Sequence, residues 1–201
     1  MEANMGRKSD ARQRILTGAV RLFSDRGYAG AAVDDLLAEA GVGKSSFYHF
    51  FETKAALGAA ATSEWELRVD QEILSPAFDE GVEPLDRPLR LVDRLSRAID
   101  EQTGTAFWLI GTNAACFGSL PAEMRERTEA VLDRLQTPLA RAFSQARDEM
   151  DLTPDADPGL LAQACAAYLH GVLLLCRVKG SSEPMRRLGP LMVSFWRPFV
   201  V

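Results

Sequence analysis

Histidine and cysteine are scarce in this 201-residue chain, at two and three residues. His49 and His170 stand far apart, and the cysteines fall at positions 116, 165 and 176 within apolar runs. Transition metals are held by clustered His, Cys and carboxylate side chains, so no metal site is expected. An odd number of cysteines without ligand spacing excludes a disulfide framework and fits a reducing cytoplasm. Cys165 and Cys176 lie eleven residues apart, over about 16 Å along a helix, too far to bridge within it. A glycine-rich phosphate loop and a nucleophile–base set are also lacking. The chain is therefore not read as an enzyme, and no catalytic residue or cofactor is expected. β-Branched residues are sparse, and nothing alternates apolar and polar residues long enough to make a strand. No basic flank, apolar run and cleavage site combine into a signal peptide. The most apolar segment, 160–176, is interrupted by Gln163, Tyr168, His170 and Gly171, and reads as a buried helix rather than a membrane span.

What the chain has is helical periodicity almost throughout, with 47% hydrophobic and 25% charged residues. A first helix is expected over about 9–26, ended by Gly27, then short helices over 33–40 and 44–50. A longer one should run from residue 52 or 53 to 73 or 74, stopped by Pro76. After the 81–88 linker, helices are expected over 88–101, 105–118, 121–149, 157–178 and 183–199, with a loop at 151–158. Pro138 and Pro190 should kink or split theirs. The sum is an all-α chain of about nine helices.

Residues 33–51 carry the most information. Two short helices joined by a tight turn pack only with small and apolar residues at particular places. Leu36, Leu37 and Ala40 face inward from the first, Val42 plugs the corner, and Phe47 and Phe50 anchor the second. Gly41 supplies the positive φ of the turn, with Asp34 and Asp35 at the positive end of the first helix. The opposite face of the second helix then falls to Lys44, Ser45, Ser46, Tyr48 and His49, all hydrogen-bond donors. Such a helix suits the major groove of DNA, whereas a plain helical hairpin is the ordinary alternative. Charge agrees with the first: residues 1–55 hold eight Lys/Arg against seven Asp/Glu, a balance of +1. With −5 for the whole chain, the remainder carries −6.

The ordered set Arg14-Ile-Leu-x-x-Ala-x-x-Leu-Phe23, Gly27-Tyr28, Ala40-Gly-Val-Gly-Lys-Ser-Ser-Phe-Tyr-His-Phe-Phe51 and Lys54-x-x-Leu57 closely resembles the N-terminal signature of the TetR/AcrR family of repressors. The resemblance implies a homodimer with an N-terminal three-helix helix-turn-helix DNA-binding domain, here 1–55. An all-helical effector-binding and dimerisation domain would follow, here 56–201. It places Lys44, Ser45 and Ser46 in the recognition helix, matches Tyr48 and Lys54 to positions that hold the DNA backbone, and matches His49 to one that contacts backbone or base. Arg7 and Lys8 would reach neighbouring phosphates. Some members carry a Gly-Cys pair, apolar residues and Asn in the sixth helix; here Trp108-Leu-Ile-Gly-Thr-Asn113 has no such cysteine.

In the second region, the 157–178 segment is apolar on nearly all sides and must be covered all round. A twin subunit explains this, with Leu169, Val172, Leu173, Leu191, Phe195 and Trp196 as expected interface residues. Two-fold symmetry sets the recognition helices roughly 34–36 Å apart and predicts a palindromic double-stranded operator. Large or polar groups on apolar helices are the candidate effector pocket: Trp65, Phe107, Trp108, Asn113, Cys116, Phe117, Tyr168 and His170. Ordinary core packing is the competing account for each. For Cys116, buried packing is favoured over a reactive thiol. An apolar pocket with few polar groups favours a small hydrophobic effector of unknown identity. The expectation is a cytoplasmic repressor relieved by such an effector, without a membrane partner. The alternative is a regulator answering to oxidation or a protein partner.

Overall fold

The computed structural model describes residues 2–101 and 108–201, with the side chains of residues 2–9 left aside. Helices dominate, and the described residues hold no strand beyond one isolated bridge. The nine α-helices labelled here are α1 (Glu2–Gly30), α2 (Val33–Ala40), α3 (Lys44–Phe50), α4 (Lys54–Val69), α5 (Arg87–Asp100), α6 (Leu109–Ala115), α7 (Ala122–Asp148), α8 (Pro158–Lys179) and α9 (Glu183–Leu188). The chain forms two compact units, Met1–Leu67 with Thr105–Val131 and Arg68–Gly104 with Leu132–Val201.

In the first unit α1 packs against both α2 and α6. Its inward stripe is Ile15, Leu16, Ala19, Val20 and Phe23, all almost fully buried. The helix begins before the expected Ser9. It breaks where expected, because Gly27 adopts φ 72°, ψ 165°. The Met124 side chain of α7 packs directly on Gly58 of α4: a Cβ there would lie 2.4 Å from Met124 Sδ, so a larger residue would require the methionine to shift.

The second unit opens with one π-turn, Asp70–Leu74, and a short helical turn, Ser75–Ala77. The chain thus coils past Pro76, which was expected to stop it. Pro76 sits at the start of the new turn, where a missing N–H costs nothing. Pro138 likewise fails to split α7, which continues through it while Leu139, Ala142 and Phe143 bury immediately beyond. Pro190 does end the regular helix, and 189–195 continue as 3₁₀ turns. Helix α8 is capped at both ends. Asp157 accepts hydrogen bonds from the Gly159 and Leu160 N–H groups at 2.9 and 3.1 Å, and Gly180 closes it at φ 63°. By length and composition alone α8 is apolar enough to cross a membrane. The chain's end pairs back on the 151–153 loop through a Leu152–Val200 bridge.

Candidate functional site

Helices α2 and α3 and the turn between them follow from local chemistry. Asp35 accepts a hydrogen bond from the Ala32 N–H at 3.1 Å, closing the first turn of α2. Gly41 ends it at φ 60°, ψ 43°, and its N–H bonds back to Ala38. Leu36, Ala40 and Phe47 are buried, while Leu37, Val42 and Phe50 are half-buried. Phe51 is the anchor the sequence reading missed. One turn beyond Phe47 and in ring contact with it at 6.1 Å, Phe51 is buried where Phe50 is not. The i, i+4 relation to Phe47 was the signal.

The outward face of α3 presents Lys44, Ser45, Tyr48 and His49 to solvent, with Tyr48 51% exposed; Ser46 is half-buried. Lys44 pairs loosely with Asp34 at 3.7 Å, and Arg21 and Arg26 of α1 pair with Glu39 and Asp35. These exposed pairs contribute little stability, about 0–1 kcal/mol each. They do offset the carboxylates of α2 beside the donor face. Lys54 is held differently. Its ammonium donates to the Tyr28 carbonyl at 2.5 Å and sits 4.2 Å from the Tyr28 ring centre. Burial pushes its pKa down and that of Tyr28 up, the latter with help from Glu123. An ammonium has three protons, so Lys54 keeps donors for a phosphate. The Arg7 and Lys8 side chains lie outside the described residues.

The candidate pocket residues separate. Trp65 and Asn113, 2% and 1% exposed, are both buried in the first unit. Trp108 and Phe117 are half-buried there, and Phe107 lies outside the described residues. Cys116 is exposed, correcting the expectation of buried packing: α6 ends at Ala115 and the thiol sits on the turn beyond. Tyr168 and His170 belong to the second unit and have local roles. The Tyr168 hydroxyl donates to Leu188 O at 2.8 Å, and His170 Nδ1 is 2.7 Å from Ala166 O.

Around Asn113 the structure adds residues the sequence reading did not single out. The Asn113 amide nitrogen donates to the hydroxyls of Thr62 (3.3 Å, α4) and Thr128 (3.4 Å, α7). One turn along α4 from Thr62, Glu66 is ion-paired with Arg127. Their only sequence signal was spacing, Thr62 and Glu66 four apart on one face of an otherwise alanine-rich helix. Arg127 and Thr128 had none.

Of the expected interface residues, Leu169, Val172 and Trp196 are enclosed within the second unit, Leu173 and Phe195 are half-buried, and Leu191 is exposed. The uncovered stripe of α8 runs instead through Leu160, Ala167, Gly171, Leu174, Leu175 and Val178, with Leu174 62% and Val178 76% exposed. A cleft of about 500 Å³ in the same unit is lined by Asp70, Arg87, Pro138, Arg141 and Gln145 among others, and by none of the candidate pocket residues.

Comparison with known proteins agrees with this geometry. Residues 15–61 match the family described as bacterial regulatory proteins, tetR family, and residues 84–191 match the tetracyclin repressor-like C-terminal domain. The chain is 26% identical over 178 residues to the HTH-type transcriptional repressor DhaR of Mycobacterium sp. strain GP1, covering 89% of this chain and 88% of that protein. It is 28% identical over 176 residues to the transcriptional regulator AcuR of Cereibacter sphaeroides, covering 87% and 80%. The crystal structure of a TetR regulatory protein from Rhodobacter sphaeroides superposes with a TM-score of 0.84 at 27% identity, covering 94% of this chain and 99% of that one.

Proposed function

The chain belongs to the TetR family of bacterial regulatory proteins, DNA-binding transcriptional regulators, and we propose that it is a homodimeric cytoplasmic repressor released from a palindromic operator by a small, largely apolar effector. The observation that carries operator binding is the outward face of α3, where Lys44, Ser45, Tyr48 and His49 stand exposed on a helix fixed from behind by Phe47. Lysine reaches guanine edges as well as phosphates, and Ser, Tyr and His reach base edges or backbone. The DNA-binding part is residues 1–55, and 56–201 serve effector binding and dimerisation.

Dimerisation is supported by the α8 stripe. An apolar face along a 22-residue helix is costly in water, and a second copy of the same stripe covers it by two-fold symmetry. Effector release is then a population shift, which requires the ligand to prefer the conformation that cannot span both half-sites.

The test is fluorescence anisotropy on duplexes selected from a random library. Tight binding to a palindrome, with two chains per duplex and log affinity falling linearly with log salt, is the expected result. Binding without sequence preference, or one chain per site, refutes it. A second reading, control by oxidation, is favoured by the exposure of Cys116. Burial holds the other two thiols inert, raising Cys165 to about 12 and Cys176 in the same direction. Under that reading Cys116→Ser abolishes oxidant-induced release and leaves operator affinity unchanged. An equal oxidant response in both proteins removes it.

A further inference from the structure

Buried polar atoms in folded proteins are nearly always paired, so each exception asks for an explanation. Among the described residues of the first unit, the buried side-chain atoms without a protein partner include Trp65 Nε1, Asn113 Oδ1 and Arg127 Nε. Trp65 and Asn113 are among the least exposed residues of the chain. They belong to one neighbourhood. Thr62 and Trp65 are three residues apart on α4, Thr62 and Thr128 both hold Asn113, and Arg127 precedes Thr128 on α7.

The orientation of the Asn113 amide is fixed by its neighbours. Thr62 has one hydroxyl proton, and it goes to Gly58 O at 2.9 Å. Towards Asn113 that hydroxyl can only accept, so the NH₂ end faces Thr62 and the carbonyl end faces away from it. The cluster therefore offers a buried acceptor, Asn113 Oδ1, and two buried donors, Trp65 Nε1–H and Arg127 Nε–H. The charged groups of this cluster, Glu66 and Arg127, are paired with each other, so the site carries no excess charge.

We infer that Trp65 and Asn113 form the polar end of a ligand site for a small uncharged molecule bearing a primary amide or hydroxyl group, which donates to Asn113 Oδ1 and accepts from Trp65 Nε1–H. Such a group satisfies both atoms at once. A carboxylate repels the Asn113 carbonyl and must shed its hydration beside a guanidinium whose charge Glu66 already balances, while a hydrocarbon satisfies none of these atoms. This rests on the reading of the chain as an effector-responsive regulator, and it narrows the effector's chemistry. It also gives the site a route to α1. Thr112, next to Asn113 on α6, donates to the Ser24 carbonyl of α1 at 3.2 Å, and its methyl group would lie 3.7 Å from a Cβ built at Gly27, where α1 breaks.

The experiment uses the full-length protein with butyramide and benzamide as probes, against butyrate, benzoate and toluene. The chain has three tryptophans, so ¹H–¹⁵N spectra show three indole N–H signals, and Trp65→Phe identifies the one that matters. An amide probe is expected to move the Trp65 signal downfield and to bind roughly tenfold or more tightly than its carboxylate or hydrocarbon counterpart. Trp65→Phe removes a donor that pairs with no protein atom, so it folds, and it should weaken amide binding by about tenfold. Asn113→Leu should do the same. An unmoved Trp65 signal with every amide probe, carboxylates binding as well as amides, or unchanged amide affinity in Trp65→Phe each overturns the site. Operator release is read in parallel. An indole shift without release keeps the site and refutes the effector reading, whereas release with an unmoved indole signal keeps that reading and overturns the site.

Discussion

The two compact units differ in what each leaves unsatisfied. The first leaves hydrogen bonds: the exposed donors of α3, and buried Trp65 Nε1 and Asn113 Oδ1. The second pairs its notable polar groups internally. Arg87, 5% exposed, donates to Val82 O at 2.8 Å, Gln145 Oε1 at 2.7 Å and Glu80 O at 3.4 Å; Ser182 donates to Asp100; Tyr168 donates to Leu188. What it leaves open is apolar, the stripe of α8 with Leu191. Unpaired hydrogen bonds call for polar ligands, and bare leucines call for an apolar partner. On the function proposed above, the first unit would serve DNA and effector and the second a twin subunit.

The largest expected effect comes from reversing the character of the α8 stripe. Leu174→Glu with Val178→Glu places two charges per protomer where a second copy would bury them, at several kcal/mol each. Sedimentation should show dimer association weakened by about three orders of magnitude or more, with helical content retained, since both side chains are exposed in the single chain. A double variant that stays dimeric would mean that this stripe is not the interface.

That stripe marks how far the sequence could be read. An all-round apolar 157–178 helix was plain from composition, as was its need for two covers. Which residues meet which cover was not, because the rotation of the helix is set by packing inside the protomer: Leu161, Cys165, Leu169, Val172 and Cys176 took the inner face. The sequence alone leaves Leu169 and Val172 as candidates for the outer face, whereas both are buried within the protomer. By contrast the α2–α3 pair was legible almost residue by residue, because Gly41, Asp35 and Phe47 act within one or two turns of chain. The Asn113 cluster was legible only in part. Its partners lie 51 and 15 residues away, and no sequence pattern reveals that an amide oxygen goes unpaired.

Next in size is the contrast between a satisfied and an unsatisfied buried donor. Arg87→Ala leaves the Val82 and Gln145 oxygens without their donor and removes a buried side chain, so a loss of about 3 kcal/mol in chemical denaturation is expected. Trp65→Phe gives up no protein hydrogen bond and should cost only the missing ring volume, about 1–2 kcal/mol. Equal losses in the two variants would erase the distinction between the units.

At the DNA face the effects are smaller and separable by salt. Lys54→Ala removes one cation and should lower affinity for all sequences while reducing the salt slope by about one. Tyr48→Phe removes only a hydroxyl, so affinity should fall by about 1 kcal/mol with the slope unchanged. Lys44→Ala or Ser45→Ala should change operator preference. If Lys54→Ala leaves the slope intact, its ammonium serves Tyr28 alone, as an internal tie between α1 and α4.

The smallest effect compares two helix caps of similar strength. Asp35 closes α2 through the Ala32 N–H, and Asp157 closes α8 through the Gly159 and Leu160 N–H groups. Either mutated to Ala should cost about 1 kcal/mol of stability. Their consequences diverge because the helices serve different surfaces. Asp35 also lies 3.6 Å from the Arg26 guanidinium, so its loss frees a cation and loosens the helix that the 41–43 turn joins to α3. Operator affinity should therefore change in Asp35→Ala at equal stability loss, with the dimer intact. Asp157→Ala fixes no part of the α3 face and should leave affinity per dimer as it was. Matching anisotropy curves for the two would mean that α2 is held by Leu36 and Ala40 alone, with its cap irrelevant to the presentation of α3.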